Sequence, residues 1–105
     1  MSNTETKYEL KFARLFDKEF DKLDKSLKDE AWKKLERLKY NPNIGKHLNY
    51  LNLWELHIRM FRIFYIINNN EVKILLLSIK HKDDCDKYVR GLTIEQIKQA
   101  LSDVS

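Results

Sequence analysis

Apolar positions along this chain fall into two regimes, one at helical spacing and one that alternates or runs together as in strands. Phe12, Phe16, Phe20 and Leu23, at intervals of four, four and three, make one face of a helix, with Asp17, Lys18, Asp21 and Lys22 on the other. Leu27, Ala31, Leu35 and Leu38 stripe a second helix, and Ser26 with Asp29 three residues on predicts its capped start. That helix ends at Tyr40-Asn41-Pro42, because the residue before a proline is pushed out of helical geometry. Two such helices with a short break between them predict an antiparallel hairpin. Trp32, beside the second stripe, is expected in the core or facing a partner.

The strand regime starts after a loop, Asn41 to Asn52, in which His47 is a surface residue. In Leu53 to Ile58, Trp54, Leu56 and Ile58 point one way while Leu53, Glu55 and His57 point the other. In Phe61 to Ile67, Arg62 shares its face with Phe64 and Ile66. A hairpin centred between Arg59 and Met60 sets His57 opposite Arg62 and Glu55 opposite Phe64. Asn68-Asn69-Asn70 suits a turn, since asparagine tolerates left-handed backbone. Val72 to Ile79 is apolar on both faces apart from Lys73 and Ser78, which predicts a central strand covered on both sides. Tyr8 to Phe12 alternates weakly and adds a possible short strand. After a charged segment closed by Tyr88 and stopped by Gly91, Thr93 and Gln96 cap a last helix, about 93–104, striped by Ile94, Ile97, Leu101 and Val104. The expected fold is α+β in one domain, residues 1–105 with a core of about 8–90. It has a small antiparallel sheet of three to four strands, an N-terminal helical hairpin on one face and a short C-terminal helix.

Composition narrows the function classes. With 43% apolar and 34% charged residues in 105, the chain can bury one modest core. No apolar run approaches the ~20 residues of a membrane span, and the start MSNTETK lacks a signal-peptide core, so a cytoplasmic location without membrane partners is expected. Two glycines leave no room for a phosphate-cradling loop, and no cofactor is expected. One cysteine, Cys85, excludes an internal disulfide. The net charge of +4 is uneven: residues 41–82 carry 6 basic side chains against 2 acidic, Glu55 and Glu71. An anionic partner for the sheet follows from that imbalance, although a merely solvated surface would have the same composition.

Of the chemistries these residues could carry, a metal site in His81 to Asp86 lacks paired ligand spacing, so no metal is expected. Phosphate chemistry without metal is the option that remains. Cutting RNA through its own 2′-hydroxyl needs a base, a cation for the developing phosphorane charge, and an acid for the leaving 5′-oxygen. Arg62 is the one charge in an otherwise apolar strand. It serves either such a site or a structural ion pair with Glu55 or a C-terminal acid.

The order of these pieces resembles the RelE/ParE toxin superfamily of toxin–antitoxin systems. The likeness is carried by the helical hairpin ending in Asn41-Pro42, by Leu53-Trp54-Glu55-Leu56-His57, by Phe61-Arg62-Ile63-Phe64-Tyr65, and by Ile79-Lys80-His81-Lys82-Asp83 running to Tyr88. The resemblance implies a ribosome-dependent mRNA endoribonuclease with Arg62, His81, Lys82 and Tyr88 as catalytic residues. It further implies His57, Arg59 and Lys80 as substrate contacts, mRNA and the ribosome as partners, and a cognate antitoxin that covers the basic face. Alternatives within the same superfamily are a non-catalytic gyrase inhibitor and an inactive toxin-fold binding protein.

Overall fold

A computed structural model describes residues 6–102, so Val104 of the last stripe lies outside the described residues. The elements are β1 (Glu9–Phe12), α1 (Arg14–Asp21), α2 (Lys25–Leu38), β2 (Lys46–His47), β3 (Trp54–Ile58), β4 (Phe61–Asn68), β5 (Lys73–His81), α3 (Cys85–Gly91) and α4 (Ile94–Ser102). Single 3₁₀ turns lie at Pro42–Ile44 and Lys82–Asp84. No helix is long and apolar enough to cross a membrane.

Strands β3, β4 and β5 form the expected antiparallel meander, with β2 pairing the outer edge of β3 and β1 the far edge of β5 in the order β1-β5-β4-β3-β2. The α+β class holds, but the sheet has five strands and is mixed, because β1 runs parallel to β5 from Glu9↔Lys73 to Phe12↔Leu76. That parallel pairing needs a long crossover, which the helical hairpin and the meander supply. Strand β2 is two exposed residues with no alternation to read. The hairpin register is as the pattern predicts: His57↔Arg62 and Glu55↔Phe64.

Each face of the sheet has its own core. Phe16 of α1 and Leu27, Ala31, Leu35 and Leu38 of α2 pack on one face against Leu56, Ile58, Ile63, Tyr65, Ile74, Leu76 and Ile79. On the other face Leu53, Phe64, Leu75 and Leu77 lie under Leu92, with Ile97 and Ala100 of α4 packed alongside. Helix α4 commits only that inner edge, for Ile94 and Leu101 stay 55% and 57% exposed. Strand β5 is thus covered on both sides, as its sequence requires.

Three local departures have physical causes. Helix α2 starts at Asp24, whose carboxylate accepts from the Leu27 amide at 2.8 Å, and not at Ser26. The Ser26 hydroxyl is taken by Arg59, whose Nη2 donates to it at 3.0 Å. At the β4–β5 turn the left-handed residue is Val72 (φ 56°), not an asparagine. Asn68 instead uses its side chain to accept from the Glu71 amide at 3.0 Å, which leaves strain on a β-branched residue.

Tyr65 fixes the loop before β3. Its ring is fully buried, and its hydroxyl donates to the Pro42 carbonyl (2.7 Å) and accepts from the Gly45 amide (3.2 Å). Burial pushes this phenol up to about 12, against the pull of the Gly45 amide. A Cβ on Gly45 would fall 2.5 Å from the Tyr65 hydroxyl and 2.7 Å from the Glu55 carbonyl, so glycine is required for close approach. Gly45→Ala is therefore expected to cost about 1–3 kcal/mol, seen in thermal denaturation as a Tm lower by roughly 4–8 °C per kcal/mol.

Candidate functional site

Cross-strand pairing assembles a polar end on the sheet face opposite α1 and α2. His57 of β3, Arg62 of β4 and Lys80 of β5 stand in one row, and Lys46, Glu55, Phe64 and Ser78 in the next. Residues directly opposite each other share a face with Cβ atoms about 5 Å apart. The apolar remainder of this face is roofed by α3 and α4, which brings Tyr88 of α3 to the edge of the polar rows with its ring 5.0 Å from that of Phe64.

Arg62 is half-buried, and its Nη1 donates to the carbonyls of Arg59 and Phe61, both at 2.9 Å. Among the described residues no carboxylate pairs with it, so the ion pair with Glu55 that its sequence also allowed is not formed. Glu55 instead accepts from His57, with Nε2 2.9 Å from Oε1. Lys80 is engaged elsewhere: its ammonium lies 2.5 Å from Glu19 of α1 and 5.2 Å from the centre of the Tyr88 ring. The same Glu19 carboxylate accepts from the Ser78 hydroxyl (2.6 Å) and the Ile79 amide (3.1 Å). Strand β1 stops pairing at Leu76, so Glu19 caps the stretch of β5 edge that β1 leaves open.

Burial, and then the Glu19 charge, push the Tyr88 phenol well above the usual tyrosine value, while its hydrogen bond with Ser78 works the other way. Tyr88 therefore stays protonated at neutral pH. Burial also pushes the Cys85 thiol up, with the Glu55 carboxylate next in weight and Arg62 opposing; the thiol is no ready nucleophile. Among the described residues no group of three or more His, Cys, Asp and Glu side chains is placed to hold a metal ion.

Of the residues singled out in the sequence, the fold brings together Arg62, Lys80, Tyr88 and His57. His81 goes elsewhere. It pairs with Phe61, one residue along from the Arg62↔Lys80 pair, and so points to the helix-covered face. There its ring stands edge-on to Phe61 at 5.5 Å and its Nδ1 accepts from the Asp83 amide at 3.1 Å. Arg59 is also drawn away, with Nε donating to Glu30 of α2 at 2.7 Å. Lys82 is exposed, its amide bonded to the Met60 carbonyl at 2.7 Å and its ammonium without an ion partner among the described residues. Glu19 and Ser78 are the residues that sequence reading missed. The signal for Glu19 was a charge three residues after Phe16, inside the apolar stripe of α1.

Comparison with known proteins now places the chain. Residues 10–84 match the family described as the ParE toxin of the type II toxin–antitoxin system parDE. The chain belongs to this family. Among curated proteins none matches it in sequence. Several solved structures share the fold. A mutant of E. coli toxin RelE in the free state has TM-score 0.69 and 22% identity, over 78% of this chain and 90% of that one. The chain matched in the intact E. coli RelBE toxin–antitoxin complex has TM-score 0.65 and 23% identity, over 70% of this chain and 95% of that one. The chain matched in the Mycobacterium tuberculosis RelBE2 complex has TM-score 0.62 and 19% identity, over 71% and 98%. The protein is thus a type II toxin of the RelE/ParE superfamily.

In this toxin the Glu19 carboxylate ties α1 to β5 through three donors, and its removal would leave Ser78, Ile79 and Lys80 unsatisfied together. Glu19→Ala is expected to cost about 2–3 kcal/mol in urea denaturation. Glu36→Ala, which loses only the surface pair with Lys39, is expected to cost under about 1 kcal/mol.

Proposed function

We propose that this toxin stops growth by cutting mRNA on the ribosome, as an endoribonuclease that uses the RNA 2′-hydroxyl and needs no metal. The observation that carries the reading is Arg62, a cation with no carboxylate partner among the described residues, set between His57 and Lys80 on the polar end of an otherwise apolar face. Such a cation costs stability to bury and is repaid by an anion that docks on it, here the scissile phosphate. Lys82, exposed where β5 ends, supplies a second phosphate contact. Tyr88, held protonated at the same end, is available to donate a hydrogen bond to the substrate. His81, on the helix face, is left out of the chemistry, and Lys80 positions Tyr88 in place of touching RNA.

Substrate and ribosome place the action in the cytoplasm. A cognate antitoxin is the natural partner, since E. coli RelE is known in complex with the antitoxin RelB; an antitoxin segment over the polar end would neutralise it. The rival reading is a gyrase inhibitor without catalysis, favoured by the ParE description of the family.

Arg62→Ala separates the two. The variant is expected to keep its Tm within a few degrees, having lost no ion pair, and to lose growth arrest together with about 10²–10³-fold of mRNA cleavage followed by primer extension. Undiminished arrest, with replication halted and mRNA intact, selects the gyrase reading.

A further inference from the structure

The histidine that reaches Arg62 is not the one next to Tyr88 in sequence but His57, and it arrives with a carboxylate behind it. Its side chain is 54% exposed, while that of Glu55, 2.9 Å from Nε2, is only 15% exposed. An ionised carboxylate only accepts, so Nε2 carries the proton of the neutral ring and Nδ1 is left as the acceptor. The His57 backbone is pinned as well: its carbonyl accepts from Lys34 Nζ of α2 at 2.6 Å, and the residue pairs with Arg62 across the hairpin. A histidine kept for packing would have its ring in a core, whereas this one stands open beside a cation.

We propose that His57 is the proton acceptor of the cleavage step and that Glu55 is the positioning residue that fixes its tautomer. The inference rests on the endoribonuclease reading above and assigns the base which that reading lacks. A phosphodiester lying against Arg62 brings a ribose 2′-hydroxyl within reach of the ring in the same cross-strand row. Nδ1 takes the 2′-hydroxyl proton as the O2′–P bond forms, and the P–O5′ bond breaks. The departing 5′-oxygen takes a proton from solvent water, and the hydroxide so formed takes the proton back from the imidazolium. The products are a 2′,3′-cyclic phosphate and a 5′-hydroxyl end. Glu55 stabilises the imidazolium while it exists, as a buried carboxylate does for a histidine base in acyl transfer. Of the charged groups nearby, Glu55 meets the ring itself, Arg62 stands opposite His57 on β4, Lys46 opposite Glu55 on β2, and Lys34 of α2 holds the His57 carbonyl; Lys80 is held by Glu19.

The test uses purified full-length toxin on ribosomes programmed with mRNA. His57→Ala is expected to lower kcat by about 10²–10⁴-fold with KM little changed. Added imidazole should restore part of that rate to His57→Ala and none to Arg62→Ala. Glu55→Gln should lower kcat with KM little changed, because an amide both donates and accepts and no longer selects one tautomer of the ring. A His57→Ala toxin that cuts at the wild-type rate, while Arg62→Ala is inert, overturns this inference alone. So does a slow His57→Ala toxin that imidazole fails to rescue, since its loss is then structural. An unchanged kcat in Glu55→Gln removes the positioning role. Wild-type toxin that leaves the mRNA whole overturns the underlying reading instead.

Discussion

The structure depends on one register. Along β3, β4 and β5 side chains alternate with a period of two, broken once where the β4–β5 register shifts between Phe64 and Tyr65, so the pairing His57↔Arg62↔Lys80 decides which residues at this end meet α1 and α2 and which the opposite face. A slip of one residue would drive Arg62 into the core beneath α2 and send Ile63 outward. The register is held at both ends of the sheet. At the β3–β4 turn Arg59 takes a left-handed backbone (φ 53°) and is bound by Glu30 and Ser26 of α2. At the other end Tyr65 ties β4 to the loop at Pro42 and Gly45.

Charge on the polar end is divided by the same register. Glu19 absorbs Lys80 and in doing so closes the β5 edge beyond β1. Glu55 turns to His57, and among the described residues Arg62 is bound to carbonyls of its own turn and to no carboxylate. Two carboxylates thus settle which cations are structural and which face outward. A carboxylate that accepts three donors contributes to folding, and on the proposed reading the guanidinium is left for an anion. Stability and the proposed function thus lie in neighbouring rows of one sheet face.

Much of this was legible in the chain. The helical stripes, the covered central strand, the hairpin pairing of His57 with Arg62 and the Thr93–Gln96 capping box all follow from spacing, because each is a local rule acting within a few residues. What spacing could not reach was non-local. Strand β1 shows in the weak alternation of Tyr8 to Phe12, but its parallel pairing with β5, more than sixty residues away, does not. Glu19 finds its donors on β5, and Arg59 is taken by a helix it never neighbours in sequence. His81 misled because proximity along the chain suggested proximity in space. One position in a strand is half a turn of the pleat, so its neighbour Lys80 reached the polar face and His81 did not.

The central claim, that this toxin cuts RNA by its own 2′-hydroxyl on the face organised around Arg62, is tested most directly by the ends it leaves. Purified toxin is incubated with mRNA-programmed ribosomes in the presence of a chelator, and the fragment termini are determined. The account predicts new fragments with 2′,3′-cyclic phosphate and 5′-hydroxyl ends. Intact mRNA from a preparation that still arrests growth, or fragments bearing 5′-phosphates, would contradict it.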